Sequence, residues 1–329
     1  MLRAAALFFL WLILALLSVW AFAALYIDVR HHALRITLAV LYVVIIAGIV
    51  WKAPGLTKPI LVFVAFIVVL AWWFSLKPTN SADWQPNVSH LAQIDFNGDQ
   101  VVIHNFRNCD YRSENDYSNC WSERTFNLSQ LRAVDFFLTN WGIPYISHPI
   151  VSFDFGNNQH VAFSIEARYK MRQNYSAILG FFRQFELIFV TASESDVIRL
   201  RTNFRKGEEV YMYRTNLSPE VARAIFRSYA TYLDHLHNHP EWYNALTRNC
   251  TTTMDRQISE AVPNPQPRSV RRLLLNGNLD ELLYDRHRLV SKGQSFAKVK
   301  EQAHINAVAH TVSDPAQYST KIREGRIGF

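Results

Sequence analysis

The sequence has few cysteines and lacks several motifs that would assign a function directly. Its 329 residues include three cysteines, none of them in a CxxC pair of the redox or zinc-binding kind. It has no glycine-rich loop that could hold a nucleotide phosphate, and no internal repeat. The net charge of +7 is not accompanied by a nucleic-acid-binding motif. We therefore expect no nucleic-acid partner and no cofactor.

Long uncharged runs occupy much of the first 76 residues. Ala4 to Ile27 contains no charged residue, and at helical rise it reaches roughly 36 Å, enough to cross a bilayer. Two more apolar runs follow, whereas a cleaved signal peptide would explain the first run alone. We predict three transmembrane helices in a bilayer, at about 4–27, 33–51 and 59–76, and then a linker at 77–86.

The charges beside these runs do not decide which side of the membrane the rest of the chain occupies. Cys109 and Cys120 flank a polar loop, as a disulfide in an oxidising compartment would. Such a bridge would contribute roughly 3 kcal/mol by closing the loop. Two unrelated, reduced cysteines are the alternative. A disulfide would indicate an exported domain and would leave Cys250 as the unpaired thiol.

Cys250 stands just before a run that can be helical, predicted over 253–262. Three threonines follow it directly. A cysteine at such a junction faces unpaired backbone N–H groups and the positive end of the helix dipole, and both favour the thiolate. A buried structural cysteine is the alternative interpretation.

A predicted β-hairpin supplies a candidate base. Two alternating runs flank the turn 156–158, and their apolar residues share a face if odd positions pair with odd positions. A three-residue loop achieves this by pairing Phe155 with Gln159. This register places His148 directly opposite Glu166, and the Cβ atoms of such cross-strand partners are about 5 Å apart. We predict that the carboxylate orients the imidazole. An ordinary surface histidine opposite an ordinary glutamate is the alternative.

The candidate residues combine into a base, its orienter and a nucleophile: His148, Glu166 and Cys250. A metal site built from the same three residues is the competing use, but it lacks a fourth ligand, so we predict no metal. The other elements expected from periodicity are strands at 100–103, 186–190 and 210–213, and helices at 128–141, 193–205 and 219–236.

Short motifs between residues 82 and 263 carry a family resemblance. They are Asp83-Trp84, 134–137, Ser147-His148, 151–153, 163–168, 185–187, 196–201, 240–244 and Asn249-Cys250-Thr251. Together they resemble the Lnb N-terminal periplasmic domain family, which is similar to circularly permuted papain-like (NlpC-type) thiol enzymes. The resemblance implies an α+β domain at 87–263. The three predicted helices precede it, and we expect a helical extension at 264–329. It also implies catalytic roles for His148, Glu166 and Cys250.

The resemblance implies a function as well, because one member of the family is a lipoprotein N-acyltransferase of the bacterial envelope. We expect an inner-membrane protein with a periplasmic thiol-enzyme domain. Its substrate would be a phospholipid or lipoprotein, whose acyl group passes through a thioester on Cys250. The alternatives are a cysteine peptidase or amidase acting on cell-wall peptide, and a non-enzymatic membrane scaffold.

Further residues are candidates for an oxyanion or substrate site. Tyr243, Asn249 and Arg168 fall in the shared motifs, although such a tyrosine is more often a packing residue. A basic patch for phospholipid head groups would consist of Arg168, Arg199, Arg201 and Arg205, with a solvated charged face as the alternative. The basic stretch 263–272 would lie at the membrane surface or cap the domain.

Overall fold

The structure is a computed structural model that describes residues 2–118, 120–262 and 275–329. The chain forms two compact units. The first contains the residues up to Thr79 together with Asn174–Glu186 and Trp242–Asn244. The second contains Asn80–Gln173, Leu187–Glu241 and Ala245–Phe329.

The first unit is built on three helices, α1 (Leu2–Asp28), α2 (His32–Lys52) and α3 (Thr57–Ser75). Each is long and apolar enough to cross a membrane, which confirms the three predicted spans. Many of their large apolar side chains are exposed, as the lipid-facing side chains of membrane helices are. Helix α1 packs against both of the others.

A buried carboxylate holds a later segment of the chain to these helices. Asp28, at the end of α1, accepts hydrogen bonds from the Trp73 indole at 2.7 Å and the Gln184 amide at 2.6 Å. The Arg183 guanidinium stacks over the Trp73 ring, 4.1 Å from its centroid. Phe182 packs into the apolar cluster that the three helices form. Residues 182–184 are therefore part of the helical unit.

In the second unit, the described residues form an eight-stranded sheet. Its strands are β1 (Gln93–Asn97), β2 (Gln100–Arg107), β5 (Trp121–Asn127), β6 (Ala133–Asn140), β7 (Ser147–Asp154), β8 (His160–Arg168), β9 (Glu186–Ala192) and β10 (Glu209–Arg214). The order across the sheet is β1-β2-β9-β8-β7-β6-β10, and β5 also pairs with β2. A separate two-stranded sheet joins β3 (Tyr111–Ser113) to β4 (Asp116–Tyr117). Cys109 and Cys120 flank this small sheet and are disulfide-bonded, as predicted.

The predicted helix over 128–141 is wrong. Leu128–Gln130 is a single 3-10 turn, and the rest of that stretch is strand β6. Because β6 lies between β7 and β10 and is buried on both faces, its apolar run does not alternate. Such a run has no period that separates a strand from a buried helix.

Helices cover the sheet on both faces. On one face, helix α5 (Pro219–Asn238) places Phe226 and Tyr229 edge-on against Phe153 and Phe163. On the other, Ile150 and Ala162 join a buried cluster with helix α4 (Glu194–Arg199) and the C-terminal residues. Short helices in this C-terminal part are Leu279–Asp285, Phe296–Ala303, Asn306–Ala309 and Tyr318–Lys321. They belong to the same unit as the sheet.

The β7–β8 hairpin has the predicted register. Ile150 pairs with Ser164 and Asp154 with His160, and the Phe155 N–H donates to the Gln159 carbonyl at 2.9 Å. His160 therefore lies at the hairpin tip, beside Asp154, and away from His148. The basic stretch 263–272 lies outside the described residues.

Candidate active site

Cys250 is the first residue of helix α6 (Cys250–Ala261), three residues earlier than the predicted helix. A capping box fixes this start: the Asn249 side chain accepts from the Thr252 N–H, and the Thr252 hydroxyl accepts from the Asn249 N–H, each at 2.9 Å. At this position the Cys250 N–H has no helical carbonyl four residues before it. The helix therefore presents both a thiol and a backbone donor at its start.

The structure brings the three predicted residues into one region of the second unit. Helix α6 contacts β7 and β8, the strands that carry His148 and Glu166. The charges of Glu166 and Arg201 both act on the Cys250 thiol. Cys250 is partly exposed and keeps a free thiol.

A serine stands between His148 and its predicted carboxylate partner. His148 Nε2 lies 2.8 Å from Ser164 Oγ, and the Ser164 hydroxyl donates to Glu166 Oε1 at 2.6 Å. The direct separation of His148 Nε2 from Glu166 Oε1 is 3.8 Å. Glu166 is thus a neighbour of the imidazole, as predicted, but it orients the ring through Ser164.

Arg201 anchors the far end of this relay. It lies in a π-helical turn, Leu200–Phe204, is 3% exposed, and donates to Glu166 Oε1 and Glu208 Oε2, both at 3.0 Å. Burial alone would raise the pKa of Glu166, but the positive charges, foremost that of Arg201, outweigh it and hold this pKa well below its usual range. Glu166 is therefore an anion that can only accept hydrogen bonds.

The relay also defines which imidazole nitrogen carries the proton. Because ionised Glu166 cannot donate, the Ser164 hydrogen points to it, and the Ser164 oxygen accepts from His148 Nε2–H. A neutral imidazole with its proton on Nε2 has its lone pair on Nδ1. His148 is thereby prepared to accept a proton at Nδ1.

Burial keeps both members of the candidate pair neutral. It lowers the pKa of His148 to about 3, and the charge of Arg201 acts in the same direction. Burial likewise raises the pKa of the Cys250 thiol to about 11, although the Thr251 hydroxyl and N–H oppose it. The thiolate expected from the helix start is therefore not the resting form, because the loss of solvation exceeds the effect of the helix N-terminus.

Two of the further candidates make contacts that hold the fold. Asn249 caps α6, and its amide also donates to the Ala245 carbonyl at 2.8 Å. Arg168 is 2% exposed and donates to the carbonyls of Val88 and Ser89 at 2.8 and 2.7 Å. Tyr243 belongs to the first unit and is buried; its N–H donates to the Phe185 carbonyl. The contacts of Asn249 and Arg168 are structural.

The predicted basic patch for lipid head groups is also wrong. Arg168 and Arg201 are buried, because each compensates polar groups inside the domain. Arg199 pairs with Asp110 at 3.1 Å, and Arg205 pairs with Glu114 at 3.2 Å. Arg168 thus binds backbone carbonyls, and the other three arginines form ion pairs with nearby carboxylates.

Sequence reasoning did not place Ser164 at the site, and it assigned Arg201 to the basic patch instead. Ser164 precedes Glu166 by two residues and so shares its face of β8, a signal that was present in the alternation. Arg201 comes from a different element, and its pairing with Glu166 depends on tertiary packing.

A second cluster lies toward the hairpin tip. Single donor atoms of Asp135, His160 and Glu194 lie within 4.8 Å of one another, close enough to share a metal ion. However, Arg323 donates to Asp135 at 2.6 Å and to Glu194 at 2.7 Å. These carboxylates are already compensated by the Arg323 guanidinium.

The sequence that contains the candidate site matches a known protein family. Residues 117–277 match the model of the Lnb N-terminal periplasmic domain, which confirms the resemblance over a stretch that includes His148, Glu166 and Cys250. Neither the curated proteins nor the solved structures that were searched contain a match to the chain. The family match and the three apolar helices indicate an inner-membrane protein with a periplasmic domain.

Proposed function

We propose that the chain is a membrane-anchored thiol enzyme in which Cys250 is the nucleophile and His148 the general base, in a permuted papain-like arrangement. One observation carries the proposal. A relay of Ser164, Glu166 and Arg201 leaves His148 with a lone pair on Nδ1, and the strand that carries His148 contacts the helix that begins with Cys250. A nucleophile, a base and a group that orients the base are together typical of covalent catalysis.

The first half-reaction begins from a neutral pair. As the Cys250 sulfur bonds to the carbonyl carbon of an ester or amide, its proton passes to His148 Nδ1. The Cys250 backbone N–H is available to stabilise the oxyanion. When the intermediate collapses, the carbon–oxygen or carbon–nitrogen bond breaks. The leaving group takes the proton from His148, and a thioester is left on Cys250.

The second half-reaction returns the enzyme to its starting state. An amine attacks the thioester carbon and loses its proton to His148, and the Cys250 sulfur leaves and recovers that proton. The product is an amide. With water in place of the amine, the same steps give a carboxylic acid.

The membrane helices support an acyl group as cargo. Three helices that can each cross a bilayer tether the domain to a membrane, where acylated lipids and lipoproteins are concentrated. We therefore propose a phospholipid or lipoprotein as acyl donor and an amine as acceptor.

The test is to identify what becomes attached to Cys250. The full chain is reconstituted in phosphatidylethanolamine vesicles that carry an alkyne-tagged acyl chain, then denatured and mapped by mass spectrometry. We expect a hydroxylamine-sensitive label on Cys250 of the wild type and none on Cys250→Ala. The His148→Ala variant should label at least 100-fold more slowly. A folded wild type without label on Cys250 would overturn the acyltransferase proposal.

A further inference from the structure

A buried amide bridges the two elements that carry the candidate pair. Asn276 is 4% exposed and 129 residues from Ser147 in sequence. Its Oδ1 accepts from the Ser147 N–H at 2.8 Å, and its Nδ2 donates to the Ser147 carbonyl at 2.7 Å. The Ser147 hydroxyl in turn donates to the Asn276 carbonyl at 2.8 Å. Ser147 is the residue directly before His148.

The same amide also reaches helix α6. Asn276 Nδ2 donates to the hydroxyl of Thr251, the residue directly after Cys250. Since the Thr251 oxygen accepts this bond, its own hydrogen is left to donate. The Thr251 hydroxyl lies 3.8 Å from the Cys250 sulfur, a distance at which a thiolate accepts a hydrogen bond.

The next residue explains how Asn276 can come so close to the strand. A Cβ atom on Gly277 would lie 2.0 Å from the Pro144 carbonyl oxygen, which no side chain tolerates. The Gly277 N–H also donates to the Tyr145 carbonyl at 3.2 Å. The backbone at Gly277 therefore packs directly on the segment that leads into β7.

We infer that Asn276 is a positioning residue that sets the spacing of base and nucleophile. It fixes the backbone at His148 through Ser147, and it turns the Thr251 hydroxyl toward the sulfur. This inference rests on the proposed function, since positioning matters only if His148 serves Cys250. A small displacement between reacting groups can cost about 100-fold in rate.

Asn306 offers a matched control. It is also a buried asparagine, and it also holds two backbone groups of a strand region: Oδ1 accepts from the Val210 N–H, and Nδ2 donates to the Glu208 carbonyl, both at 2.8 Å. Asn306→Ala therefore removes the same kind of hydrogen bonds without touching Ser147 or Thr251.

The experiment measures acylation of Cys250 by p-nitrophenyl acetate, as the burst of p-nitrophenolate from the full chain in detergent. We expect Asn276→Ala to slow the burst by about 10- to 100-fold, and Asn306→Ala to stay within about twofold of the wild type. In a His148→Ala background, Asn276→Ala should have little further effect, because the base that it positions is gone. Asn276→Asp keeps the acceptor for the Ser147 N–H but loses the donors to the Ser147 carbonyl and to Thr251, and it should fall between Asn276→Ala and wild type.

The outcomes separate this inference from the proposed function. A wild type without a His148-dependent burst would overturn the proposed function itself. A normal wild-type burst with an unchanged rate in folded Asn276→Ala would overturn only the positioning role. The positioning role would also be overturned if Asn276→Ala slowed the burst by the same factor in the wild type and in His148→Ala. Equal factors would mark a purely structural residue. If Asn276→Ala does not fold, the Asn276→Asp comparison decides.

Discussion

The imidazole of His148 is hydrogen-bonded to the hydroxyl of Ser164, 2.8 Å away, and this hydroxyl links the ring to Glu166. A hydroxyl can accept from the ring and donate onward at once, so it transmits the orientation imposed by the carboxylate. The ion pair of Glu166 with Arg201 then has a purpose at the site, because it keeps the carboxylate ionised inside the domain.

Removing the relay hydroxyl should slow acylation. In Ser164→Ala the ring loses the bond that fixes its tautomer, and we expect the p-nitrophenyl acetate burst to fall by about tenfold or more. The fall should be smaller than the 100- to 10,000-fold typical of losing a general base. Ser152→Ala is the control, since this buried serine of β7 donates to Glu194 at 2.6 Å, away from His148. Equal rates in the two variants would contradict the relay.

Alkylation should report a protonated thiol. With its pKa raised to about 11, Cys250 carries little thiolate at pH 7. We expect iodoacetamide to react more slowly there than with a free cysteine of pKa about 8.5, and the rate to keep rising with pH through pH 10 toward the pKa of about 11. Because Cys109 and Cys120 are bonded to each other, the label reports on Cys250. A plateau below pH 8.5 would instead indicate a preformed thiolate–imidazolium pair.

Acidification should cost stability through His148. Its pKa is about 3 in the folded protein and about 6.5 when unfolded, so the unfolded chain binds the extra proton. This contribution is complete above pH 6.5 and is lost as the pH falls toward 3. Thermal unfolding of the full chain in detergent at several pH values would measure it. In His148→Gln the decline over this window should be shallower, whereas the exposed His237→Gln should match the wild type. An unchanged slope in His148→Gln would contradict the burial effect.

Asn249 should matter as a helix cap. Asn249→Ala removes the acceptor for the Thr252 N–H, and we expect a loss of about 1 kcal/mol in the free energy of unfolding, measured by urea denaturation. Asn249→Asp keeps a capping oxygen and should retain both stability and the p-nitrophenolate burst. A stable Asn249→Asp protein without a burst would show that the amide itself contacts the reacting carbonyl.

The sequence predicted the hairpin well because strict alternation and a short turn leave one register for residues 147–166. It could not predict that His148 is buried. Covering that face requires the C-terminal residues, such as Ile305 and Ile322, which are distant in sequence. Burial lowers the pKa of His148 and raises that of Cys250, and for this reason the expectation of a resting thiolate failed. Asn276 was missed because no local pattern links it to Ser147.

The composition of the first unit limits how the domain can be prepared in soluble form. Because residues 174–186 and 242–244 belong to the helical unit, the polypeptide passes back into that unit twice after leaving it at Thr79. Removal of the residues up to the end of α3 would take away Trp20, against which Phe182 packs, and Asp28, to which Gln184 donates a hydrogen bond. The shortened product would then expose an apolar surface that water does not solvate well. Biochemical work on the site therefore calls for the intact chain in detergent or lipid.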